Sequence, residues 1–231
     1  MALNVDDYKN GQVLLIDKPL KWTSFQVVNK LRWAIRQQFN LKKIKVGHAG
    51  TLDPLATGLL ILCTGKFTKK IDQFQAQIKE YTGTFTVGAT TPSYDLETEI
   101  DQHFEFSHLT NEIIHNTTKQ FIGEIQQKPP IFSALKKDGK RLYELARAGE
   151  TTEIKLRNIT ISEFEITNIK LPEIEFRVIC SKGTYIRSLA YDFGLALNSG
   201  AHLSKLRRTK IGDFDVKKAQ SIDDFLNGLD N

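Results

Sequence analysis

The chain has 231 residues, of which 40% are apolar and 26% charged, the balance of a globular protein and not of a disordered one. No apolar run approaches the ~20 residues that cross a bilayer. The opening "MALNVDDYKNGQ" lacks the basic and apolar segments of a signal peptide, so a cytoplasmic protein without membrane association is expected.

The first element in chain order is "GQVLLIDKP", which predicts a buried strand stopped by Pro19. "TSFQVVNKLRWAIRQQF" predicts a helix: Thr23 and Gln26 fit a capping box, and Phe25, Val28, Leu31, Ile35 and Phe39 form an apolar stripe. Asp53 and Pro54 read as a helix N-cap and first-turn pair, and "LATGLLILCTG" continues as a buried helix or strand. "YTGTFTVG" has strand character, and "LTNEIIHNTTKQFIG" predicts a short helix. "ITISEFEITNIKL" and "EIEFRVICSKG" alternate like half-buried strands of one hairpin. "TYIRSLAYDFGLAL" puts Ile186, Leu189, Ala190, Phe193 and Leu197 on one helical face. No repeat or linker interrupts the chain, so one domain of α+β class is expected, with a mixed, mostly antiparallel sheet flanked by helices. Residues 126–150 are basic and broken by prolines and glycines, which predicts a mobile arm. Cys63 and Cys180 sit in apolar runs and are expected as buried free thiols.

The net charge of +5 is gathered in "KKIK" (42–45), "KFTKK" (66–70), "KKDGKR" (136–141) and "KLRRTK" (205–210), while acid collects in "DLETEIDQHFEFSH". Separated basic segments that converge on folding make a footprint for a polyanion, so nucleic acid is a candidate partner. Between Gly58 and "GK" at 65–66 lie six residues, where a triphosphate-binding loop needs four, and Phe67 stands where its Ser or Thr must be. The five histidines show no zinc spacing, and no G-x-S-x-G is present. No metal or cofactor is called for. One carboxylate stands out. Asp53, in "GHAGTLDPLATGLL", has glycines on one side, the start of an element on the other, and His48 five residues upstream. An aspartate before proline most often caps a helix, yet an ionised aspartate held at an open loop is a usable nucleophile. Arg187, after the turn "SKGT", reads either as a surface arginine or as a planar partner for a carboxylate.

These segments resemble the tRNA pseudouridine synthases of the TruB family. "GHAGTLDPLATGLL" resembles the nucleophile motif and "GQVLLIDKPLKWTSFQVVNKLR" the N-terminal lysine–proline motif. "PPIFSALKKDGKRLYELARAGE" resembles the tRNA-clasping insertion, "CSKGTYIRSLAYDFG" the tyrosine–arginine motif, and "GAHLSKLRRTKIGDF" the leucine-containing segment. The blocks run in the family's order from Gly11 to Phe214. The resemblance implies a pseudouridine synthase fold and isomerisation of uridine 55 in the T-loop of elongator tRNAs. It implies Asp53 as catalytic nucleophile, Arg187 as its salt-bridge partner, and Asp95 completing the network, although "PSY" and "LET" around Asp95 depart from the commoner pattern. His48 would face the displaced RNA loop, Tyr81 would stack on the flipped uracil, Tyr185 and Leu206 would line the pocket, and Lys18 and Pro19 would support the loop. A monomer acting on the tRNA T-arm without an obligate protein partner is expected. Only 17 residues follow Phe214, so the family's C-terminal PUA domain is expected to be missing and RNA affinity to rest on the basic segments. A rival reading from the residues alone is a non-catalytic tRNA-binding or folding module in which Asp53 only caps a helix.

Overall fold

The computed structural model describes residues 3–229 except 134, 138, 143, 145–147 and 149–152. The chain forms two compact units, Met1–Tyr81 with Leu206–Asn231, and Thr82–Lys205. In the first, α1 (Val5–Asn10) starts in a capping box between Asn4 and Asp7 and leads to β1 (Val13–Lys18). Helix α2 (Ser24–Gln38) follows, with the expected Thr23–Gln26 box in place. Then come β2 (Val46–His48), β3 (Ala56–Thr64), a 3-10 turn at Gly65–Lys70, α3 (Ile71–Ala76) and β4 (Lys79–Val87). The chain crosses into the second unit within β4.

There it continues through β5 (Ala89–Thr90), β6 (Gln102–His103), α4 (Asn111–Thr118), β7 (Gly123–Gln127), β8 (Lys136–Lys137) and β9 (Lys140–Arg141). It ends with β10 (Arg157–Lys170), β11 (Glu173–Cys180), α5 (Ile186–Ala196) and β12 (Ala201–Ile211), within which it returns to the first unit. Strands β10 and β11 form the expected antiparallel hairpin, and β7 pairs with β10 on its other side. Along β10 the buried residues change phase, from Ile159 and Ile161 to Phe164 and Ile166. The register shift between Ile161 and Glu163 explains it, because one extra residue swaps the faces. Phe85 of β4 stacks on Phe176 at 4.0 Å, and Phe164 and Phe193 close round them. The expected face of α5, Ile186, Leu189, Ala190, Phe193 and Leu197, is buried. Of the arm expected over 126–150, residues 134, 138, 143, 145–147, 149 and 150 lie outside the described set, and β8 and β9 pair antiparallel within it.

The first unit is completed by β13 (Phe214–Asp215), which pairs with β12, and by α6 (Ile222–Leu229). Strand β3 pairs antiparallel with β1 and β2 and parallel with β12, opposing Leu206 to Ala56. The α+β class and the mixed, mostly antiparallel pairing follow expectation. The open choice between helix and strand for "LATGLLILCTG" is settled by covering both faces of β3. Leu60 and Leu62 pack with α2 and α6, while Leu59, Ile61 and Cys63 pack with Ile211. A strand covered on both sides needs no polar alternation. Cys63 and Cys180 are buried free thiols, and burial pushes the Cys63 thiol up to about 11.

Two expectations are corrected. Phe25 does not belong to the buried stripe of α2: it is 62% exposed, and the buried face is Val27, Val28, Leu31, Ala34 and Ile35. Phe25 lies in the first turn, nearly opposite Val27 at 100° per residue. Asp53 caps no helix. Its carbonyl accepts from Ala56 N at 3.1 Å in a turn that opens strand β3.

Candidate active site

In the first unit, Asp53 stands on a loop whose backbone is tied down at almost every residue. Ala49 N donates to Ile61 O at 2.9 Å, and Lys21 N donates to Pro54 O at 2.8 Å. Ser24, the first residue of α2, clamps Leu52 from both sides: its Oγ accepts from Leu52 N at 2.8 Å and donates to Leu52 O at 3.1 Å. Arg208 holds the other arm, with Nη2 donating to Gly50 O at 3.1 Å and Nε to Leu59 O at 2.8 Å. Gly58 (φ 103°) lies so tightly against the Arg208 backbone that a Cβ there would meet its carbonyl oxygen. Only glycine fits that approach.

The charges around this loop are buried and interdependent. Lys18 ends β1 with 0% exposure, its Nζ donating to Pro19 O at 3.0 Å and Trp22 O at 2.7 Å. Burial pushes its ammonium down to about 8; the Asp53 carboxylate opposes that shift and Arg208 adds to it. His48, at the end of β2, is held below its ordinary value by burial and then by Arg208, with the Gly50 backbone pulling the other way. Its imidazole is therefore neutral at pH 7. Leu206 sits beside this loop by register, opposite Ala56, and Tyr81 is buried in β4. Asp53 thus keeps company with Lys18, His48 and Leu206 within the first unit.

In the second unit the structure brings Arg187, Asp95 and Tyr185 together. Arg187 is 4% exposed in the first turn of α5, which removes the surface-arginine reading. Its Nε lies 3.6 Å from Asp95 Oδ2, while Nη1 donates to Ser93 O at 3.3 Å and Nη2 to Phe132 O at 2.9 Å. Asp95 is itself buried, and its Oδ1 accepts from Glu97 N at 3.0 Å. Tyr185 is the N-cap residue of α5 and is fixed by the Gln127 amide, which accepts from Tyr185 N at 2.8 Å and donates to Tyr185 O at 3.1 Å.

Sequence reasoning missed Ser24, Gln127 and Arg208. Ser24 is hidden behind the capping threonine before it, and Gln127 carries no local signal. Arg208 sits among the cations of "KLRRTK", and that cluster is largely spoken for. Arg208 is 1% exposed, Arg207 pairs bidentately with Asp17 at 3.0 and 2.6 Å, Lys205 reaches Glu173 at 3.4 Å, and Lys210 reaches Glu80 at 3.8 Å.

Residues 36–186 match the signature described as TruB family pseudouridylate synthase, N terminal domain, and residues 187–230 that of the tRNA pseudouridylate synthase B C-terminal domain. The chain belongs to the TruB family of pseudouridylate synthases. It is thus an isomerase by class. TruB relatives include the tRNA pseudouridine synthase B of Flavobacterium johnsoniae, 70% identical over 97% of this chain and 98% of that protein. That of Phocaeicola vulgatus is 56% identical over 97% and 95%. A solved Cbf5–Nop10–Gar1 complex is similar at 31% identity and a TM-score of 0.71, covering 95% of this chain and 54% of that one. An H/ACA ribonucleoprotein bound to a substrate RNA containing 2′-deoxyuridine matches at 29% and 0.68, covering 95% and 53%. The chain therefore spans about half the length of these two solved chains. Among the described residues no helix is long and apolar enough to cross a membrane.

Proposed function

We propose that this protein is a cytoplasmic tRNA pseudouridine synthase that isomerises uridine 55 in the T-loop, acting as a monomer with Asp53 as its nucleophile. The observation that carries the reading is the Asp53 loop: a carboxylate that caps no helix, on a backbone anchored at Ala49, Gly50, Leu52 and Pro54. Anchoring of that kind supports chemistry, because a nucleophile displaced by 1 Å can lose about a hundredfold in rate. Relatives named for tRNA pseudouridine synthesis support the substrate.

The reaction breaks the N1–C1′ bond, turns the uracil, and forms C5–C1′; the C5 proton leaves and N1 gains one. No electrons are exchanged with an outside partner. The uridine must leave its stack to expose C1′ and C6, at a cost of a few kcal/mol that a stacking ring such as Tyr81 helps offset. Asp53 then acts at C1′, at C6, or as a base at C2′. Lys18, with Pro19, supports the loop and interacts electrostatically with the Asp53 carboxylate, and neutral His48 faces the RNA without adding a charge. Arg187, held with Asp95, and Tyr185 keep the roles that the family resemblance implies, as does Leu206 beside the Asp53 loop.

The test is tritium release from a T-arm stem-loop labelled at C5 of its uridines. Wild-type protein is expected to release label from uridine 55, while Asp53→Asn binds the RNA and releases none. Near-wild-type release by Asp53→Asn would remove Asp53 from the chemistry. Tight binding without release by either protein would favour the non-catalytic RNA-binding reading.

A further inference from the structure

Helix α2 buries one side, and packing does not explain the composition of the other. At 3.6 residues per turn, Phe25, Asn29, Arg32, Trp33 and Arg36 fall within an arc of about 100°, opposite the buried Val27, Leu31, Ala34 and Ile35. Phe25 is 62% and Trp33 56% exposed. Lys30 flanks the stripe with Nζ 5.6 Å from the centre of the Trp33 ring. Arg32 is braced by Asn29, and Arg36 by the Leu41 carbonyl at 3.2 Å, both through neutral oxygens. Between Asp17 and Asp53 the chain holds eight lysines and arginines and no aspartate or glutamate. Of these, Lys21, Arg36, Lys42, Lys43 and Lys45 are exposed.

We propose that this face of α2 is an RNA-docking surface for the strand flanking the reacting uridine. Phe25 and Trp33 stack on unpaired bases, and Lys30, Arg32 and Arg36 hold phosphates. Charge complementarity selects the occupant, since a carboxylate-free stretch whose cations, the buried Lys18 apart, all reach solvent suits a polyanion. Rings interleaved with cations suit one that also has flat faces. The rings are eight residues apart, about 12 Å along the axis, so they engage separate nucleotides and not one stacked step. The N-terminal end of α2 adjoins the Asp53 loop within the same unit, because Lys21 N bonds Pro54 O and the buried Ser24 clamps Leu52. RNA that follows this face toward Phe25 therefore runs toward the end of the helix that holds the Asp53 loop. The inference rests on the synthase reading for the identity of the strand.

The experiment titrates an unmodified tRNA transcript into the full-length protein at roughly 0.05–0.2 M salt and follows tryptophan emission, with tritium release measured in parallel. RNA is expected to quench wild-type emission, and Trp33→Phe to lose most of that quenching while keeping its affinity. Phe25→Ser with Trp33→Ser should raise Kd roughly tenfold or more. Lys30→Gln with Arg36→Gln should weaken binding and flatten the salt slope by roughly one unit for each phosphate no longer neutralised. Turnover at saturating RNA and thermal unfolding should stay at wild-type values in both. Ring and charge variants that bind like wild type would overturn the surface and leave the synthase standing. Ring-dependent RNA binding with no tritium release by wild type would overturn the synthase and keep the surface. Burial of Trp33 in a dimer formed without RNA, seen by sedimentation, would overturn the surface in favour of a second copy of the chain.

Discussion

Arg208 offers the sharpest test of how the Asp53 loop is held. Its guanidinium is 1% exposed and bonds Leu59 O at 2.8 Å and Gly50 O at 3.1 Å. Arg208→Met keeps most of the side-chain length and volume but leaves two buried carbonyls without these donors, at about 1–3 kcal/mol each. Part is returned, because Arg208 also disfavours the charged form of Lys18. The expected net loss is about 2–4 kcal/mol, a fall in Tm of roughly 4–16 °C for a chain of this size. Turnover should fall at least tenfold at a temperature where the variant is folded, because the Gly50 arm of the loop is released. The His48 titration, followed by NMR of the ring protons, should move up toward its ordinary value. Urea unfolding and tritium release at 20 °C check the first two effects. A variant that unfolds at the wild-type midpoint, turns over at the wild-type rate and leaves His48 unmoved would refute the reasoning.

Three further outcomes are expected. Ser24→Ala removes both bonds to Leu52, which should cost about 1–2 kcal/mol in urea unfolding and lower kcat more than it raises KM; equal kcat would make the clamp dispensable. Gly58→Ala places a Cβ on the Arg208 backbone at φ 103° and should cost about 3 kcal/mol or more, read as lost solubility or a depressed Tm; a wild-type melting curve would contradict the close approach. Burial raises the Asp192 carboxyl from 3.8 to about 6, so the folded protein binds more protons than the unfolded chain in that window and loses stability as pH rises through it. Asp192→Asn should therefore match wild type below pH 4 and be more stable by about 1–2 kcal/mol at pH 7, after allowance for solvent screening; the opposite pH trend in urea midpoints would reverse the assignment.

Helix α2 shows how far the pattern carried. Its start, its capping box and most of its buried face were legible, because capping and 3.6-residue periodicity are local. Phe25 was misplaced because an apolar residue in the first turn looks the same whether or not anything packs on it. Asp53–Pro54 failed as a helix signal for a similar reason. The pair suits any tight turn, and whether a helix or a strand follows depends on what covers both faces of "LATGLLILCTG". Residues 205–210 read as part of a basic footprint for a polyanion, yet their partners Asp17, Glu80 and Glu173 and the Leu59 and Gly50 carbonyls come from distant parts of the chain.

The sequence by itself determined the class of the fold, most of its elements, the membership of its family and the residues carrying the motifs, because each is written in local spacing or in blocks whose order survives unaligned. Only the tertiary structure decided that β3 is a strand covered on both faces, that Arg187 is buried against Asp95, that Arg208 is an internal clamp, and that Phe25 and Trp33 face outward. Burial and pairing across dozens to more than a hundred residues set those outcomes. An arginine or a phenylalanine has no intrinsic side: the elements packed around it assign one.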